Sequence, residues 1–179
     1  AKSTVHRLAV TLASEGFLEQ NPETGRYRLG LSLFALGALV RRRMDVSNEA
    51  RPLLGQLRDK TQEAVRLAVM SGNQIMYLYN LESSQAIGIV SYIGSLKPAA
   101  CTAEGRVLLA FAEPAAEESE VGMRGIAAPV RDLSGRVVAA VGLAGPIQRL
   151  TKKDLRALVP EVVATGEAVS ARLGYRTPR

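Results

Sequence analysis

The sequence is poor in the residues on which most catalytic and metal sites depend. Its 179 residues include one histidine, His6, and one cysteine, Cys101. A single histidine leaves almost nothing for histidine-based metal ligation or a catalytic triad, and a single cysteine cannot close an internal disulfide. Cys101 sits near a predicted helix start, but its domain holds no histidine to serve as its base, so it reads as a small packing residue. Walker-type glycine loops and metal-ligand spacings are missing too, and no cofactor or enzyme chemistry is expected. Long hydrophobic runs are equally scarce. The longest mainly apolar stretch, Leu31 to Val40, is far shorter than the ~20 residues a bilayer crossing needs. No charged, apolar and small-residue leader opens the sequence, so a reducing cytoplasm is the simplest compartment. Internal repeats and low-complexity segments do not occur.

What is present suffices for a core. Hydrophobic residues make up 47%, charged residues 22%, and the mean hydropathy is +0.06, which excludes a wholly disordered chain. The length fits one domain, or one domain with a small appendage. The formal charge is +6, and its placement is uneven. Residues 1–43 carry Lys2, Arg7, Arg26, Arg28, Arg41, Arg42 and Arg43 against Glu15, Glu19 and Glu23, which puts +4 of the +6 in under a quarter of the chain. The rest is nearly balanced. A small basic front end therefore precedes a larger neutral domain, and such a front end points toward a polyanion.

In the front end, Ser3 reads as an N-cap. Val5, Leu8, Ala9 and Leu12 follow at helical spacing, and Gly16 ends the helix. Ser3, Arg7, Thr11 and Ser14 share the opposite face, with Thr4 beside them and His6 toward the side, where packing is an alternative role for it. Phe17–Gln20 and Arg26–Leu29 read as two short strands around the turn cluster Asn21-Pro22-Glu23-Thr24-Gly25. Short hydroxyls with an arginine suit base edges and phosphates in a major groove. A capped surface helix and a solvated hairpin account for the same composition.

Several separated stretches carry a more specific signal. Lys-Ser-Thr-Val-His-Arg-Leu at 2–8, Glu-Gly-Phe-Leu-Glu at 15–19 and Gly-Arg-Tyr-Arg-Leu-Gly at 25–30 resemble the recognition helix and wing of the IclR family of bacterial transcriptional regulators. Gly-Ile-Ala-Ala-Pro-Val-Arg-Asp at 125–132, Val-Ala-Ala-Val-Gly-Leu-Ala-Gly-Pro at 138–146 and the ending Val169 to Tyr175 resemble the family's effector domain. The resemblance implies a winged helix-turn-helix acting on double-stranded, palindromic operator DNA. It places Ser3, Thr4, His6, Arg7 and Thr11 in the major groove, and Arg26 and Arg28 on phosphates. The family has two helices before this recognition helix, so the numbered sequence is expected to lack its beginning. It also has a few dozen more residues where Ala112–Ala116 here runs into Glu117-Glu118, so an omitted segment is expected near 114–118.

Residues 30–43 form a predicted linker helix. Leu31, Leu33, Phe34, Leu36, Leu39 and Val40 make it apolar around most of its circumference, which suits burial from two sides, as in a homodimer or a dimer of dimers. A core helix of one domain is the alternative. Residues 44–179 then read as the larger domain. They hold a helix over 48–60 with Pro52 near its first turn, and strands over 64–70, 75–81 and 86–90. A helix opening at Cys101 or Thr102 and running through Phe111 follows, then a hairpin of strands 123–131 and 136–144. Thr151 to Asp154 starts a final helical region that Pro160 is expected to divide. Neighbouring strands with short turns imply an antiparallel sheet with helices packed on it, an α+β fold. The resemblance narrows this to a GAF-like effector domain.

Small residues share faces of the last two strands: Val138, Ala140, Gly142 and Ala144 on one, Gly125 and Ala127 on the other. The missing volume implies either a cavity or a closely docked helix. The helix start at Thr102, Ala103 and Glu104 offers backbone N–H groups to an anion, although Glu104 itself would repel one. In the family, small-acid effectors are held at this helix start and by positions matching Gly125, Gly142 and Ala144. Because those positions lack polar side chains here, a roomier, less polar site is expected. Ala86 and Ile89 would be among its walls, and an aromatic or larger apolar acid its ligand. The expected function is that of a ligand-responsive, DNA-binding transcriptional regulator with no membrane association. A small-molecule sensor with a readout other than DNA is the competing class.

Overall fold

The computed structural model describes residues 2–42, 44–85, 92–110, 115–120 and 122–176. The chain divides into two compact units, Ala1–Met44 and Asp45–Arg179.

The first unit begins with helix α1, Lys2–Ser14. Ser3 therefore lies inside the first turn instead of capping it. At the other end, Gly16 takes φ +73°, Phe17 donates its N–H to the Leu12 carbonyl at 2.9 Å and Gly16 donates to Ala13 at 3.0 Å. This is a Schellman close, and it needs a residue that tolerates the left-handed region. Strands β1, Leu18–Gln20, and β2, Tyr27–Leu29, pair antiparallel with Glu19 opposite Arg28. Asn21 shapes the tip: its Oδ1 accepts the N–H groups of Glu23 and Thr24 at 2.9 and 2.8 Å. Helix α2, Leu31–Arg42, is fastened to the end of α1, since Ser32 donates its hydroxyl to the Glu15 carbonyl at 3.0 Å. A Cβ on Gly30 would lie 2.1 Å from the Gly16 carbonyl oxygen, so only glycine permits that approach.

The second unit is a six-stranded antiparallel sheet in the order β5-β4-β3-β8-β7-β6. Its strands are β3, Ala64–Ser71; β4, Gln74–Leu81; β5, Leu96–Pro98; β6, Ala115–Glu120; β7, Met123–Arg131; and β8, Val137–Pro146. Helices α3, Asp45–Thr61, and α5, Lys152–Arg172, pack on one face, and α4, Ala103–Ala110, packs on the other. Alternation along β7 shows the division: Ala127 joins the cluster under α4 with Ala103, Val107 and Leu108, whereas its neighbour Ala128 lies against Gly166 of α5. The core under α3 and α5 is aliphatic, with Leu54, Val65, Leu67, Ile126, Leu143 and Val162 fully buried. Because β3 and β8 are covered on both faces, they read as near-continuous apolar runs.

Several local expectations give way. Helix α3 starts at Asp45, three residues before the expected position, which puts Pro52 in its interior instead of near its first turn. Pro160 does not divide the last helix, which runs unbroken from Lys152 to Arg172. A proline removes one backbone hydrogen bond, and here the flanking turns are fixed independently by the buried Leu155 and Val162. The start of α5 matches its signal, with reciprocal hydrogen bonds between Thr151 and Asp154 forming a capping box. Residues 115–120, which overlap the junction expected near 114–118, pair with β7 as an edge strand, and this pairing leaves the expected omission untouched. The short edge strand β5 was not expected, and its Pro98 suits an edge position. Cys101 is exposed in a 3₁₀ turn, Ala99–Cys101, and so is not a packing residue. The strand expected over 86–90 and Phe111 lie outside the described residues.

Candidate functional site

Two sets of side chains stand where chemistry is expected. On α1, Ser3, Thr4, His6, Arg7 and Thr11 are all exposed. Thr11 donates its hydroxyl proton to the Arg7 carbonyl at 3.0 Å, which leaves its oxygen to accept from outside. His6 is exposed too, so packing within this unit does not hold it. The apolar stripe of the same helix is also uncovered, with Val5, Leu8 and Leu12 exposed. In the hairpin, Arg26 extends from the turn and Arg28 is engaged across the strands. Its Nη2 lies 2.6 Å from Oε2 of Glu19, opposite it in register. The tip thus presents one arginine whose charge is shared with a carboxylate and one, Arg26, in no ion pair among the described residues.

The second set lies under α4. Thr102 is extended (φ −131°, ψ 151°) and caps the helix, accepting the Gly105 N–H on Oγ1 at 3.0 Å. The first turn of α4 rests on the 3₁₀ turn so closely that a Cβ on Gly105 would meet the Ala99 carbonyl oxygen at 2.1 Å. Ala103 is buried between that turn and the sheet. Glu104, the next residue, is 0% exposed, and its side chain reaches down onto β8. A Cβ on Gly142 would come 2.1 Å from Glu104 Oε1. The same oxygen is 2.9 Å from Nη2 of Arg66, a β3 residue opposite Gly142 and itself only 4% exposed. The Arg66 guanidinium lies 4.9 Å over the Tyr77 ring. Gly125 and Ala144 pair in the next row of the sheet, both buried.

These positions decide between a cavity and a docked helix over Gly142, and they correct one expectation. The space over Gly142 is not a void, because the Glu104 carboxylate fills it. Nor does Glu104 act as an uncompensated repelling charge, because a buried arginine faces it. The small residues of β8 therefore accommodate a closely docked helix and its acid. Ala86 and Ile89 fall outside the described residues. Arg66 and Tyr77 were missed from sequence, although Arg66 is the one charged side chain in a strand that is otherwise apolar from Ala64 to Met70. On the opposite face of β8, a second acid repeats the pattern: Glu63 stands over Gly145, and Arg149 donates to it through both Nε and Nη2, the latter at 2.7 Å. That hydrogen bonding raises the Arg149 pKa above its ordinary value. A groove of about 550 Å³ also opens on the α5 face, between Ala128, Pro129 and Arg131 of β7 and Glu167, Ala168 and Tyr175.

Comparison with known proteins assigns both units. The family model of the IclR helix-turn-helix domain matches residues 1–22, and that of the bacterial transcriptional regulator IclR C-terminal domain matches 38–117 and 114–171. The chain belongs to the IclR family of bacterial transcriptional regulators. The HTH-type transcriptional regulator XynR of Escherichia coli is 29% identical over 98% of this chain and 85% of its own length. The glycerol operon regulatory protein of Streptomyces griseus is 31% identical over 97% and 84%. The same fold is seen in an IclR homologue from Microbacterium hydrocarbonoxydans crystallised with 4-hydroxybenzoate, at TM-score 0.80 and 21% identity, covering 97% of this chain and 86% of that one. The chain is thus a DNA-binding regulator with an effector domain, and not an enzyme. The match to the helix-turn-helix model decides against a sensor with a readout other than DNA. No helix among the described residues is long and apolar enough to cross a membrane.

Proposed function

We propose that α1 enters the major groove of a palindromic operator with Ser3, Thr4, His6, Arg7 and Thr11 toward the base edges. Arg26 and Arg28 take flanking phosphates, and a small organic molecule bound in residues 45–179 alters the affinity. The observation that carries this reading is the exposed hydroxyl-and-arginine face of α1 beside a hairpin that carries Arg26 and Arg28, within a front end that holds +4 of the chain's +6. Bacterial operator DNA places the protein in the cytoplasm. Two copies pair along α2, where Leu31 is 78% and Phe34 76% exposed. Exposed apolar area of this extent on one helix favours an interface over a solvated surface. Residues 1–29 serve as recognition helix and wing, 30–43 as linker and 44–179 as effector domain. The two matched segments of the C-terminal family model meet at 114–117, and the alignment with XynR spans 215 positions against 179 residues here. Both support the view that relatives carry additional residues at this junction.

The test is fluorescence anisotropy of the full chain on palindromic DNA fragments from its own genomic neighbourhood, at several salt concentrations. Binding to one fragment well above a scrambled control is expected, with log affinity falling linearly in log salt. Equal affinity for both fragments, or no salt dependence, would remove the assignment of α1 and the wing.

A further inference from the structure

Glu104 and Glu63 are both buried acids over β8 glycines, yet they are held differently. Glu63 receives two N–H bonds from one guanidinium, the fork geometry expected of a permanent structural pair. Glu104 meets Arg66 through one oxygen at 2.9 Å, and neither carboxylate oxygen has a hydrogen bond of good geometry. Buried carboxylates are normally satisfied on both oxygens. What faces the Glu104 carboxylate is a seat for an anion: a buried guanidinium and a glycine that leaves room for a carboxylate.

We propose that this seat is occupied by the chain's own Glu104, so that small carboxylates do not bind at Arg66 while that side chain is present. The proposal rests on reading residues 45–179 as an effector domain only for its relevance to regulation; the seat itself is a property of the fold. Arg66 is then the anion-binding residue, and Glu104 sets specificity by filling the position that a ligand carboxylate would take. An acid effector must displace Glu104 or bind elsewhere in the lobe.

The experiment is thermal unfolding of the full chain in acetate and propionate, against sodium chloride at matched ionic strength and without DNA. Wild type is expected to melt at the same temperature in all three. Glu104→Ala should melt lower, because Arg66 loses this counter-charge and a space opens over Gly142. Acetate and propionate should then restore the melting temperature saturably. At ten times its dissociation constant, a ligand raises the folded-to-unfolded ratio about elevenfold. Glu104→Gln, which keeps the space filled, should show no rescue. If Glu104→Ala is recovered poorly, refolding yield with and without acetate gives the same reading. Adding Arg66→Met to Glu104→Ala should abolish the rescue. Stabilisation of wild type by acetate, failure of acetate to rescue Glu104→Ala, or rescue of the double variant would each overturn the proposal. Operator affinity is measured separately, so failure here and failure of the DNA-binding reading are distinguishable.

Discussion

The two units use a similar proportion of apolar residues to opposite ends. The lobe of residues 45–179 covers the middle strands of its sheet on both faces and, among the described residues, pairs the buried acids Glu63 and Glu104 with arginines. Helix α2 of the front unit leaves Leu31, Phe34 and Val40 exposed. An apolar residue therefore means core in the lobe and, on α2, surface open to a partner. The same kind of substitution should act on stability in the lobe and on association in the front unit.

The strongest way to break this contrast is Gly142→Leu. The added side chain must displace Glu104 from Arg66 and overpack the space beneath α4. A loss of about 3–5 kcal/mol in chemical denaturation is expected, from separating a buried pair on top of steric strain. A variant as stable as wild type would mean that the space yields, as a cavity would. In the front unit, Leu36→Glu should leave the unfolding midpoint of the lobe unchanged and shift the protein toward monomer in sedimentation. An undisturbed oligomer, or a parent protein that is already monomeric, contradicts the pairing along α2.

Arg7→Ala sharpens the comparison at the DNA surface. It should weaken operator binding by about 1–3 kcal/mol and relax preference at one base position, without altering stability. Arg28→Ala should weaken all sequences alike and reduce the salt slope by about one, less if its pairing with Glu19 persists in the complex. Unchanged affinity and slope in both variants would leave α1 and its hairpin without a recognition role.

The smallest effect belongs to the capping box of α5. The Thr151 hydroxyl and N–H donate to Asp154 and hold its carboxyl below the usual carboxylate range. A depressed folded-state pKa means the contribution is present above the unfolded value and is lost as pH falls through the folded one. Wild-type stability should therefore decline slightly more than that of Asp154→Asn on acidification into that range. Parallel pH profiles would show that the box contributes nothing measurable.

Legibility from sequence followed the range of the interaction. The hairpin of β7 and β8, the glycine close of α1 and the Thr151 cap depend on residues a few positions apart, and each stands where the pattern puts it. Pro160 misleads because a local rule about lost hydrogen bonds yields to anchoring on both sides of it. Strand β5 is three residues long and contains a proline, too little for alternation to register. The pairing of Arg66 with Glu104 over Gly142 joins three elements through sheet register and helix docking, and no spacing along the chain encodes it. The small residues of β8 left open a cavity or a closely docked element. They did not say that an acid fills the space.

The seam of the sheet has a consequence in time. Its middle strands, β3 and β8, join Ala64 to Ala144, whereas each has a hairpin partner close by in sequence. On the ribosome, those hairpins can close as they emerge, but nothing unites them until β8 has been made. The basic front unit is tied together within its first few dozen residues and needs no such wait. The front unit can therefore close during synthesis, whereas the lobe stays in two separate hairpins until its last strands have been made.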